Sequence, residues 1–62
     1  MRKWHVIFEV FKGTNREMKS VDVEAGTKKL AMLRAMSEIN KIDGYSELFK
    51  QVYSIEEEKD AI

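Results

Sequence analysis

Between residues 4 and 11 apolar and polar side chains alternate, and the alternation sorts them unequally. Trp4, Val6, Phe8 and Val10 fall on one side, and His5, Ile7, Glu9 and Phe11 on the other. Successive strand residues point to opposite faces, so this run predicts a β-strand with one wholly apolar face. The mixed face holds two large apolar groups that a lone three-stranded sheet would leave in water. Lys12-Gly13-Thr14-Asn15-Arg16 reads as a turn, because Gly13 and Asn15 tolerate positive φ and Thr14 is short and polar. A second alternating run, from about Glu17 to Ala25, sets Val21, Val23 and Ala25 against Ser20, Asp22 and Glu24. A hairpin pairing Phe8 with Val21 and Val6 with Val23 joins the two apolar sets. It also places Phe11 beside Met18, Ile7 beside Asp22 and His5 beside Glu24. A slip of one residue would turn Asp22 and Glu24 into the core, so the faces are strongly specified.

The period changes after Gly26. Thr27 is a suitable N-cap, and Met32, Ala35, Met36, Ile39 and Ile42 recur at spacings of three and four. They predict a helix from about Lys28 to Ile42, with Leu33 flanking the stripe, Leu30 off it and Asp43-Gly44 as the stop. From Tyr45 to Ile55 two readings compete. Leu48/Val52 and Phe49/Tyr53 make i, i+4 pairs behind a capping Ser46, which allows a second helix. Gln51 to Glu56 has the composition of a strand. A two-stranded hairpin is marginal alone, and a third strand would cover the open edge of the first. A helical turn over Ser46 to Lys50 and a strand from Gln51 to about Glu57 are therefore expected. The fold class is then α+β: ββαβ, a three-stranded antiparallel sheet in the order 2-1-3, with one helix crossing one face in a right-handed sense. Lys59 to Ile62 is expected to be a frayed tail.

Composition narrows the functional classes. The 62 residues suit a single domain, and 44% apolar with 35% charged residues marks a globular chain. So short a chain buries only about 60% of its unfolded surface, so its core is small. Such domains commonly add a disulfide, a metal or a partner chain. There is no cysteine and one histidine, which leaves packing or association, and a homodimer is expected. Eleven basic residues balance eleven acidic ones, so composition implies no strong non-specific grip on nucleic acid. No run is long and apolar enough for a membrane span, and Met1-Arg2-Lys3 leads straight into the first strand-like run. A cytoplasmic protein is expected.

The candidate chemistry is sparse. His5 beside Glu24 could form a tuned imidazole, but nothing places a nucleophile or third group, so a plain cross-strand pair is the simpler expectation. Lys12-Gly13-Thr14 lacks the order and following helix of a phosphate loop. Glu56, Glu57, Glu58 and Asp60 lack the spacing of a calcium loop; they could dock on a basic partner or lie in solvent. No enzyme activity, cofactor or metal is expected. Ile7, Phe11 and Met18 form an outer apolar patch, rimmed by His5 and Glu9, and an exposed apolar patch usually marks an interface. A protein partner or second copy is expected there. The alternative is a sheet that reads nucleic acid through Trp4, Lys12, Arg16 and Lys19.

Two family patterns resemble this one. Trp4 to Val10, then Ser20 to Ala25, then a helix and a closing Val52 to Glu57, resemble the layout of small phage-encoded early proteins. That resemblance implies a non-enzymatic modulator or inhibitor of a host protein, acting in the host cytoplasm. The first forty residues, with Thr27-Lys28-Lys29 opening the helix, also look like the arm-type DNA-binding domain of tyrosine integrases. That family carries a third strand before its helix and a basic surface.

Overall fold

The structure, a computed structural model, describes residues 2–42 and 44–58. Its elements follow the order β1 (Lys3–Lys12), β2 (Asn15–Glu24), α1 (Lys28–Asn40) and β3 (Phe49–Glu58). The strands form one antiparallel sheet in the order β2-β1-β3. This is the expected ββαβ, α+β architecture. The most apolar strand lies in the middle, with a strand paired to each of its edges. The expected frayed tail, 59–62, and Asp43 lie outside the described residues.

The hairpin differs from expectation in its pairing. Val6 faces Val21, Trp4 faces Val23, Phe8 faces Lys19, and Lys12 faces Asn15. The loop is therefore only Gly13-Thr14, and β2 begins at Asn15 rather than about Glu17. Gly13 holds φ at 62° and Thr14 does not share that sign. A two-residue loop with positive φ at its first position matches the twist of the flanking strands, which a looser five-residue turn does not. The displacement is even, so every side chain keeps its expected face although its partner changes.

The inner face carries Trp4, Val6, Phe8 and Val10, all buried, with Val23 beside them. Against it lies α1, which packs mainly on β2 and β1. Thr27 caps the helix by accepting a hydrogen bond from the Leu30 amide at 3.2 Å. Ala31, Ala35 and Ile39 are the buried helical residues. Two alanines one turn apart let the helix come close to the sheet, and this narrows the buried arc. Met32, expected on the buried stripe, is consequently exposed, and Leu33 is 59% exposed. The helix ends at Asn40 rather than Ile42. The Ile42 amide donates to the Ile39 carbonyl, three residues back, in a tighter turn, and Gly44 then takes φ 82°.

The expected helical turn over Ser46 to Lys50 is instead a turn at 44–47, and β3 starts at Phe49. Lys50 helps to fix this junction: its Nζ donates to the carbonyls of Tyr45 at 2.7 Å and Leu48 at 2.8 Å. The β1–β3 register then shifts. Ile7 pairs with Ser54 and Phe8 with Val52, which leaves Tyr53 as an extra residue in a β-bulge. Val52 and Ile55 can thus both line the inner side although they stand three apart.

The N-terminal end is tied down by Arg2. Its Nε and Nη2 donate to the two oxygens of Glu57, at 2.6 and 2.8 Å, and its guanidinium lies 4.8 Å from the centroid of the Trp4 ring. Trp4 Nε1 donates to the Ala25 carbonyl at 3.0 Å. The indole is thereby buried with its polar atom satisfied.

Candidate functional site: the bare face of the sheet

With α1 on one side, no described element covers the other. The odd-numbered residues of β1 run down the middle of this face. Lys3 pairs with Glu24 and Glu58, and His5 with Asp22 and Glu56. Ile7 then pairs with Ser20 and Ser54, Glu9 with Met18 and Gln51, and Phe11 with Arg16 and Phe49. The face therefore has two halves. Carboxylates dominate the end that holds the start of β1. Apolar and aromatic groups dominate the other.

The expected patch of Ile7, Phe11 and Met18 lies in this apolar half, and the face is larger than expected. Ile7 and Phe11 are half-buried, while Met18 is 45% exposed. Phe49 and Tyr53, which the pattern of the chain had not assigned to the patch, are 67% and 64% exposed. The Phe49 ring tilts against Phe11 with centroids 5.5 Å apart, within the separation at which aromatic rings attract. The signal that could have placed them is the strand composition of the last third, once the strand is begun at Phe49 and broken at Tyr53.

Glu9 sits inside the patch rather than at its rim. Only 8% of it is exposed. Arg16 Nη1 donates to its Oε2 at 2.9 Å and Gln51 Nε2 to its Oε1 at 2.7 Å. Both oxygens are held from the flanking strands, so the carboxylate is compensated and the three strands are joined across the face. His5 lies farther along. Its partner on β2 is Asp22 rather than the expected Glu24, with His5 Nδ1 2.6 Å from Asp22 Oδ1, and Glu56 faces it on β3.

The residues of the nucleic-acid reading are not brought together. Trp4 is buried on the inner face. Lys19 pairs with Phe8 and so shares that side. Lys12 is 2.7 Å from Glu17, and Arg16 is engaged by Glu9. Tyr45 completes the Lys12 cluster by donating its hydroxyl to Glu17 at 2.6 Å. The hydrogen bonds from Lys12 and then Tyr45 hold the Glu17 carboxyl below its ordinary pKa. The same bonds to Glu17 raise Lys12 and Tyr45.

Among the described residues, no group of three or more histidine or acidic side chains is arranged to hold a metal ion, and no helix is long and apolar enough to cross a membrane. A groove of about 560 Å³ lies at the acidic end of the sheet, where the end of β2 meets α1. Comparison with family models, with curated proteins and with solved structures returns no match to this chain. The fold and the face define a small ββαβ protein whose sheet is covered on one side only among the described residues.

Proposed function

We propose that this chain is a non-enzymatic binding protein that modulates another protein by docking through the bare face of its sheet. One observation carries this reading: Met18, Phe49 and Tyr53 are exposed beside the half-buried Ile7 and Phe11 on one face. Soluble monomers rarely leave a contiguous apolar patch in water without using it. Phe and Tyr also suit contact surfaces, since each supplies a large area with few rotatable bonds. The Glu9–Arg16–Gln51 cluster supports the reading further, because it holds the patch rigid before contact and so lowers the ordering cost of association. Modulators of host proteins encoded by phages are one class that would work in this way.

The test compares two baits, the wild-type chain and a Phe49→Asp/Tyr53→Asp variant, against a lysate of the cell that makes the protein. Both side chains point to solvent, so the variant is expected to melt within a few degrees of wild type. A protein retained by the wild type and lost from the variant is the expected result. Identical retained sets on two folded baits would remove the face from consideration.

A further inference from the structure

We infer that the occupant of the bare face is an amphipathic helix with an apolar stripe and a basic end, and that its basic end lies at the start of β1. This rests on the docking role proposed above and adds the chemistry of the partner. The argument begins with dimensions. Three strands about 4.8 Å apart and ten residues long make a face roughly 14 Å wide and 33 Å long. One helix, about 10–12 Å across, spans that width, and about 20 residues span that length. A helix covers the opposite face already, and a sheet with helices on both faces is a common layered solution.

Charge then sets the chemistry and direction. Around Lys3 and His5 the neighbouring strands place Asp22, Glu24, Glu56 and Glu58. Lys3 is the one fixed cation on β1 among them. The groove at this end continues the same bias around the end of β2, where Asp22, Glu24, Glu38 and Glu58 outnumber Lys3 and Arg34. Glu38 already meets Lys41 at 3.0 Å and Asp22 meets His5, which reduces the excess without cancelling it. Its volume of about 560 Å³ is ample for a lysine or arginine side chain. At the far end Phe11 and Phe49 are apolar, and Arg16 is neutralised by Glu9.

A second copy of the chain fits this pattern poorly. Sheets packed face to face in the same direction would bring the two carboxylate ends together. Packed in opposite directions, each acidic end would cover the partner's Phe11 and Phe49. Either arrangement desolvates carboxylates without a cation to receive them. A segment that is apolar over Phe49, Phe11 and Met18 and cationic over Asp22 and Glu56 satisfies both halves.

The test titrates the isotopically labelled full chain with two 20-residue helical probes of identical pattern, one built of leucine and lysine and one of leucine and glutamate. Amide shifts are followed by NMR. The expected result is saturable binding of the leucine–lysine probe, with shifts at Ile7, Phe11, Met18, Phe49 and Tyr53 and at Asp22 and Glu56. Affinity should fall at least tenfold between 50 and 500 mM salt, and the leucine–glutamate probe should bind at least tenfold more weakly. An Asp22→Asn/Glu56→Gln variant should lose about tenfold in affinity at low salt, and a Phe49→Asp/Tyr53→Asp variant should lose binding altogether. Equal binding of the two probes on this face would overturn the basic-end inference and leave the docking reading standing. No shift on the face with either probe, or shifts confined to α1, would overturn both. Face resonances that move with protein concentration alone, unaffected by the probes, would make the occupant a second copy and overturn the helix.

Discussion

Glu9 is the residue at which burial, charge and pairing meet. A carboxylate nearly removed from water must have compensating donors, and here they come from Arg16 and Gln51 on opposite strands. Those donors are themselves exposed. The two ends of the interaction are therefore unequal. Replacing Arg16 by alanine leaves a buried charge with one donor and should cost about 1–3 kcal/mol. Replacing Glu9 by leucine removes the buried charge and lets Arg16 and Gln51 return to water, so it should be neutral or stabilising. Urea midpoints of the two variants check the pair: a larger loss for Glu9→Leu than for Arg16→Ala would contradict this account. The alternation of β1 placed Glu9 on the outer face and made it a rim residue. It could not have shown burial, because that depends on long side chains from partners whose register the sequence left two residues out.

At the scale of elements, the strand pattern was more legible than the helix pattern. Period-two alternation assigned the faces of β1 and β2 correctly even with the wrong partners, since an even displacement preserves side-chain direction. The helix was harder because its closest contact uses alanines, which hydrophobic scales weight little. Met32 and Leu33 carried the apolar signal while Ala31 and Ala35 made the contact. In β3 the expected start at Gln51 left Phe49 outside the strand, and the bulge kept Tyr53 out of the patch. The close α1–sheet approach makes a further prediction. Ala35 is fully buried, so Ala35→Leu should overpack the layer and cost about 1–3 kcal/mol, while Leu33→Ala at an exposed position should cost much less. Thermal melting of the two variants decides it, and a more stable Ala35→Leu protein would mean that the layers are not closely packed.

For the whole molecule, the Lys12–Glu17–Tyr45 cluster joins the hairpin end to the segment that leads into β3. Its titration has a sign on each side of neutrality. The Glu17 carboxyl is lowered, chiefly by the hydrogen bond from Lys12, so its contribution is complete above the ordinary carboxylate pKa. That contribution is lost as pH falls through the folded value. Lys12 and Tyr45 are raised, chiefly by their hydrogen bonds to Glu17. Their contribution is complete below their ordinary values and is lost as pH rises through the folded ones. Melting temperature at low salt should therefore be level between about pH 5 and pH 9 and fall on both sides. Glu17→Gln should flatten both flanks, and unchanged flanks in that variant would locate the pH dependence elsewhere.

The bulge at Tyr53 has one more consequence, which concerns the edge of the sheet rather than its face. β3 is a ten-residue border strand with no described strand beyond it, and it carries the β-prone residues Phe49, Val52, Tyr53 and Ile55. A straight border of that length would give another chain an unbroken row of amide and carbonyl groups to extend. The extra residue interrupts the row midway, and Glu56, Glu57 and Glu58 charge the half beyond it. The irregularity that delivers Tyr53 to the bare face thus also guards the molecule against growth into a continuous fibre.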